Sequence, residues 1–404
     1  MRNIGCNCNI YIIYIAYCSN SKLDDDNMNS KYDIIIIGGG FAGTSIAYKL
    51  SNLSDDLDVL LIERDELGSK PVSAVTFTDV VEDLDIMDSV RQSYNQIEFI
   101  STLGAKESYT YDEEVFALVD YKKACKTMFE KSGYPILYET VASIKNGNIL
   151  LQTGENIDAK IIVDASGYGY KFRKELGLDV PLTTYYLYFR KLNNCNIKNP
   201  KSLHFLSGKI GTSGGWFFPI NENECEIGVG EQMNRLSKIE RKNIVRIERE
   251  NIDQLYKIAP YSEILKDSQV DTESMVYYPF DAVKHVVKDN IVFLGDNAGM
   301  VHPVYGMGLH YISKVCKLCS KYCALAIQNN DINILKKYQN IWNYMLKQDE
   351  SLRRYGIECR GMSDKQLDDA LRMHSNLNID KMTILSAIRG HIDQVEGSYS
   401  SFRL

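Results

Sequence analysis

The apolar positions of this chain form a few unbroken runs, each closed by glycines, separated by long stretches of alternation. The first run, Tyr32-Asp33-Ile34-Ile35-Ile36-Ile37, has the continuous β-branched character of a parallel strand buried on both faces. Gly38-Gly39-Gly40-Phe41-Ala42-Gly43 follows at once, and Thr44 to Leu53 then reads as a helix. A second run, Val59 to Ile62, ends in Glu63. Two later runs have the same look: Ile161-Ile162-Val163-Asp164-Ala165-Ser166-Gly167, and Asn290-Ile291-Val292-Phe293-Leu294-Gly295-Asp296. After the last come Asn297-Ala298-Gly299, the turn His302-Pro303-Val304-Tyr305-Gly306-Met307-Gly308, and an apolar-periodic helix from about Leu309 to Gln328. Between the runs, Glu98 to Leu103, Val115 to Val119, Thr184 to Lys191, Gly214 to Ile220 and Glu224 to Gly230 alternate, which predicts an inserted antiparallel sheet.

The glycine segment carries the first chemistry. Gly38 allows a tight turn, Gly40 lets backbone approach a pyrophosphate, and Gly43 lets helix and strand pack closely. The anion would rest on the helix N-terminus, with Phe41 and Ala42 in the turn just before it, where free N–H groups and the dipole favour negative charge. Glu63 lies twenty residues past Gly43, the offset at which an acid accepts hydrogen bonds from an adenosine ribose. Arg64 beside it joins the cofactor-binding candidates. Strand, glycines, helix, strand and acid in this order predict dinucleotide binding, and by themselves leave FAD and NAD both open.

The Gly295-Asp296 pair and the turn after it resemble the p-hydroxybenzoate-hydroxylase-like flavoproteins. The resemblance implies FAD, with Asp296 on the ribityl hydroxyls. It also implies that Pro303, Gly306, Met307 and Gly308 lead into a helix whose N-terminus faces the flavin ring, where charge collects on reduction. Asp164 and Gly167 match the strand that returns the chain to the cofactor in the same proteins. Gly214-Gly215-Trp216-Phe217-Phe218-Pro219, followed by Glu226-Ile227-Gly228-Val229-Gly230, is similar to a segment of the geranylgeranyl reductase family, which saturates prenyl double bonds. The run Met362 to Asp369 and then Ile379 to Ile388 also looks like that family's helical tail, with Ser363 and Gln366 spaced for a capping box. Three departures stand out: Leu67 to Ala74 lacks the family's cysteine, Gly214 replaces a tyrosine, and Asp120 stands where relatives often carry an arginine.

Composition narrows the remaining classes. The chain has 404 residues, 45% hydrophobic and 25% charged, with a net charge of −7, an ordinary globular balance. Without a long basic block it offers nothing to nucleic acid. Ten unevenly spaced cysteines fit a reducing compartment rather than a disulfide framework. Cys316, Cys319 and Cys323 share one helical face and read as core rather than as metal ligands. Ile10 to Tyr17 is too short to span a bilayer. Residues 1–31 read as a disordered or misannotated extension, with a weak membrane-surface anchor as the alternative.

The expected fold is α/β: a Rossmann-like FAD-binding domain (32–96 with 115–180 and 285–330), an inserted antiparallel β-sheet substrate domain (97–114 with 181–284) and a C-terminal helical region (331–404). His302, Trp216 and Tyr305 are the catalytic candidates, and no metal is expected. The cysteine usage points to the cytoplasm, and the resemblance implies a reductase acting on the double bonds of an apolar isoprenoid or lipid substrate, with peripheral association at the membrane surface an option. An external donor, whether ferredoxin, nicotinamide or deazaflavin, would supply its electrons. A flavin monooxygenase or epoxidase, and a flavoprotein whose FAD is structural or redox-sensing, are the alternatives.

Overall fold

The computed structural model describes residues 31–393, apart from 146, 209 and 211–213. The expectation for the N-terminal extension therefore lies outside the described residues, but for the last position. The strand Lys31–Ile37 is the centre of the main sheet, flanked in parallel by Asn156–Asp164 on one side and Val59–Glu63 on the other. Ile136–Tyr138 extends one edge, and Ile291–Phe293 with Val287–Lys288 the other. Ile34, Ile35 and Ile36 are wholly buried, which is why this strand carries no polar alternation. The helices Phe41–Ser51, Tyr121–Ser132 and Leu309–Gln328 pack together over the sheet. Cys316, Cys319 and Cys323 of the last helix lie in the core.

A seven-stranded sheet runs in the order Gln269–Pro279, Thr184–Asn193, Cys225–Gln232, Gly215–Pro219, Ser202–Ser207, Gln96–Ser101 and Lys106–Thr110. It is antiparallel except where Ser202–Ser207 runs parallel to Gln96–Ser101. That exception arises because the chain leaves for the main sheet between these two strands, and so long a connection can return in either direction. Phe116–Val119 differs from expectation. It pairs with Ala74–Phe77 and Val90–Tyr94 in a separate three-stranded sheet. All four of its residues are buried, so it is covered on both faces rather than lying on a half-exposed sheet.

Among the described residues four α-helices follow the Leu309–Gln328 helix: Leu335–Gln348, Glu350–Gly361, Asp364–Asn376 and Lys381–Arg389. Ser363 and Gln366 form the expected capping box. Asp368 fastens the third of these to the seven-stranded sheet by accepting hydrogen bonds from the Ser101 hydroxyl and, at 2.9 Å, from the Ala105 N–H. Among the described residues no helix is long and apolar enough to cross a membrane.

Candidate cofactor and substrate site

One cavity of about 610 Å³ runs from the glycine turn to the seven-stranded sheet. At its first end the strand Lys31–Ile37 delivers the chain into a turn that only glycine can make. Gly38 has φ +105°, and a Cβ there would meet the Ala165 carbonyl oxygen at 2.5 Å. At Gly43 a Cβ would come within 1.8 Å of the Gly38 oxygen, so this position closes the helix against the turn rather than facing the cavity. Gly40 is different, because its backbone is extended and a Cβ would meet only the Tyr121 hydroxyl, at 3.3 Å. The protein's own packing therefore leaves the space in front of Gly40 open.

Glu63 stands at the side of this turn. Its carboxylate accepts from the N–H of Gly39 at 2.5 Å and from that of Asp65 at 2.8 Å, which fixes its direction toward the cavity it lines. Tyr121 braces the turn from the next helix, its hydroxyl accepting from the N–H of Phe41 at 3.0 Å. Burial, the neighbouring Cys125 thiol, and Asp296 and Glu63 hold the Tyr121 hydroxyl well above its ordinary range, so it stays protonated.

Asp296 comes from the far end of the chain. Gly295, with φ +68°, would place a Cβ 2.8 Å from that of Ala42, so the Gly-Asp turn lies against the first turn of the Phe41–Ser51 helix. There Asp296 pairs with Lys70. The N-terminal end of the Leu309–Gln328 helix reaches the same cavity, with Gly306, Met307 and Gly308 in the wall. No side chain caps that helix, so its first N–H groups remain available to an electronegative partner.

At the other end the wall is apolar and aromatic, formed by Leu187, Phe189, Phe205, Trp216, Phe218, Met275 and Tyr305. The Trp216 indole lies flat on Gly228, where a Cβ would be 2.0 Å from its ring. Its Nε1–H is buried and has no partner among the described residues. Tyr305 packs against both Phe99 and Phe205, with ring centroids 5.9 and 5.7 Å away.

Most of the expected site residues meet in this cavity: Gly38, Gly40, Phe41, Ala42, Glu63, Arg64, Gly167, Gly295, Asp296, Gly306, Met307 and Gly308, with Trp216 and Tyr305 at the apolar end. Gly43, Asp164, Pro303 and His302 do not line it. Asp164 is fully buried beneath the turn, with its carboxyl pushed up by burial, and accepts from the Ser166 N–H at 3.1 Å. Pro303 turns its carbonyl to Arg360 at 3.3 Å.

His302 has both ring nitrogens engaged with backbone. Nε2 donates to the Ala387 carbonyl at 3.1 Å, while Nδ1 accepts from the N–H groups of Val304 and Tyr305 at 3.1 and 3.2 Å. Burial lowers its pKa to about 3, so the ring is neutral and has no proton to give. Its place is to hold the turn that presents Tyr305. The arrangement as a whole can receive an extended, partly anionic dinucleotide at one end and an apolar molecule at the other.

A family model described as FAD dependent oxidoreductase matches residues 33–76. The chain is 21% identical over 394 residues to digeranylgeranylglycerophospholipid reductase 2 of Methanothermobacter thermautotrophicus, an alignment covering 89% of this chain and 96% of that protein. Its fold matches that of a geranylgeranyl bacteriochlorophyll reductase-like protein from Thermoplasma acidophilum with a TM-score of 0.78, at 18% identity and covering 92% and 99% of the two chains.

The chain is an FAD-dependent oxidoreductase with the geranylgeranyl reductase-like flavoprotein fold. The same architecture extends to p-nitrophenol 4-monooxygenase from Pseudomonas putida, with a TM-score of 0.69 at 12% identity and coverage of 93% and 100%, so fold by itself does not choose the reaction. The residues present fit FAD. The space kept clear at Gly40, the acid Glu63 beside it, the Gly295-Asp296 turn against a helix N-terminus and the uncapped start of the Leu309–Gln328 helix suit the phosphates, sugars and ring of that cofactor.

Wall residues that the sequence did not point to include Tyr121, Arg360 and Lys70. Tyr121 and Arg360 carry no local signal, because each reaches the cavity from a helix remote in sequence. Lys70 sits in the segment noted for its missing cysteine and is visible there only as a cation between the ribose-side acid and the next strand.

Proposed function

We propose that this oxidoreductase saturates carbon–carbon double bonds in the prenyl chains of isoprenoid lipids. The observation that carries this reading is the continuity of the cavity: the cofactor end opens directly onto a wall of Leu187, Phe189, Phe205, Trp216, Phe218 and Met275. Such a wall rewards burial of a hydrocarbon and offers few polar groups to orient a hydrophilic substrate. Likeness to a digeranylgeranylglycerophospholipid reductase along most of both chains supports the same substrate class.

When bound and reduced by an external ferredoxin, nicotinamide or deazaflavin donor, FAD would supply the hydride, and a wall hydroxyl would supply the proton. The protein's own residues position and shield. Asp296 and the glycine turn hold the cofactor at one end, while Trp216 and Tyr305 fix the alkene against it and exclude water. His302 keeps the Tyr305 turn in place. A lipid substrate also brings the protein to a membrane surface, which sedimentation with vesicles of the substrate lipid checks.

The deciding experiment is anaerobic incubation of the FAD-loaded, dithionite-reduced protein with unsaturated prenyl lipid, followed by mass spectrometry. A gain of two hydrogens per saturated bond is expected. Unchanged lipid, or a product that gains oxygen only in air with consumption of a nicotinamide donor, overturns the reading, the latter in favour of a monooxygenase.

A further inference from the structure

The cofactor end of the cavity is rich in carboxylates. Glu63, Asp65, Glu66 and Asp296 all line it, and a diphosphate adds further negative charge. The helix N-terminus offsets this by roughly half a charge.

Cations in the wall are few. Arg64 is exposed and bound to Asp65, its Nε 3.0 Å from the carboxylate. The Arg360 guanidinium lies 3.9 Å over the Phe280 ring and donates to Pro303, toward the other end of the cavity. Lys122, outside the wall, is taken by Glu66. Asp120, instead of a cation, caps the Tyr121–Ser132 helix by accepting from the N–H of Lys123 at 2.9 Å.

Lys70 remains. It lies on the loop joining Val59–Glu63 to Ala74–Phe77, and its ammonium meets Asp296. The Gly295-Asp296 turn lies against Ala42, and Lys70, Asp296, Gly40, Phe41 and Ala42 line the same cavity. An ammonium has three donors, and one suffices for Asp296. Lys70 is one-third exposed, so the others can turn into the cavity.

We propose that Lys70 is a cofactor-anchoring residue. Its ammonium holds the Asp296 carboxylate in place and supplies the positive charge that the FAD diphosphate meets at the helix N-terminus. The inference rests on FAD binding alone and not on the identity of the reduced substrate.

Titrating apoprotein with FAD at low and high salt, followed by flavin fluorescence, tests it. Lys70→Met is expected to bind FAD about tenfold or more weakly at low salt, with the gap to wild type narrowing as salt screens the lost attraction. Lys70→Arg keeps the charge and should recover most of the affinity. Apoprotein melting is recorded for every variant, and Lys70→Gln replaces the methionine variant if that one does not fold. Equal FAD affinity in wild type and Lys70→Met overturns the proposal. So does a loss that is independent of salt and not recovered by arginine, since packing alone would produce it. Wild-type protein that binds FAD but reduces no lipid would refute the proposed substrate and leave this test intact.

Discussion

At position 40 a side chain would meet almost nothing of the protein itself, whereas at 38 and 43 it would strike backbone within 2.5 and 1.8 Å. The three glycines therefore separate experimentally. Gly40→Val should give a folded apoprotein that retains little FAD, because the added methyl groups occupy space that the protein leaves to the pyrophosphate. Gly43→Val should not fold. Flavin content after denaturation, set beside apoprotein melting, reads both, and a yellow Gly40→Val protein would remove the glycine turn from the site.

Asp296 makes a second test. Asp296→Ala removes a charge-assisted partner from the cofactor and leaves Lys70 unpaired in a half-buried wall, so FAD affinity should fall by the equivalent of about 1.5–3 kcal/mol. The remaining flavin should turn over more slowly, through loss of near-attack geometry. Asp296→Asn, which keeps shape and one acceptor, should be milder. Affinity unchanged in the alanine variant would reduce Asp296 to a turn residue.

The helix Ile244–Leu255 shows how far an apolar stripe can mislead about the residue within it. Ile244, Glu248, Ile252 and Leu255 form its buried face, which packs on Cys225–Gln232. Glu248 is completely buried, with one carboxyl oxygen lacking a partner and the other accepting from Asn251 at 3.1 Å. Burial, with Glu231 nearby, raises its pKa from 4.5 to about 8, against the lowering by Asn251.

The folded chain thus keeps a proton that the unfolded chain releases, and stability falls as pH rises from about 4.5 to about 8. Glu248→Gln has no proton to lose. Its stability relative to wild type should climb across that window and level off above it, by up to about 5 kcal/mol in all. Denaturant unfolding at pH 5 and pH 9 checks this, and a pH-independent difference would mean that Glu248 is ionised or solvated in the fold.

Across the whole molecule the C-terminal helices are tied to the cofactor helix by a few buried polar contacts. Asp349, 2% exposed, accepts from the Tyr311 hydroxyl of the Leu309–Gln328 helix at 3.1 Å and pairs with His391 at 3.1 Å. Asp349→Ala leaves both partners without an acceptor and should cost about 1–3 kcal/mol. Because Asp349 does not line the cavity, FAD affinity measured well below the melting transition should stay unchanged. A large loss of affinity would show that the helical tail shapes the site.

The cofactor end of this protein was legible because its chemistry is backbone chemistry. A buried strand, a turn open only to glycine, a helix start and an acid at fixed offset are local, so Tyr32 to Glu63 and Gly295 to Gln328 could be read directly from residue order. The aromatic wall was legible in part, since Trp216 and Tyr305 stood in recognisable segments. Other features depend on where distant elements come to rest. Phe116–Val119 joined a third sheet that its own pattern could not distinguish from the second. His302 looked like a proton donor beside the flavin turn, until the Ala387 carbonyl and two N–H groups consumed its nitrogens. Lys70 meets Asp296 across 226 positions of sequence, and only packing brings that cation to a carboxylate at a helix N-terminus. Sequence by itself determined the main elements and a dinucleotide-binding turn, because short-range sterics and hydrogen bonding set them, while FAD entered through resemblance. Tertiary structure decided which side chains face the cavity and which charges balance there, because burial and Coulomb energy depend on neighbours that residue order does not name.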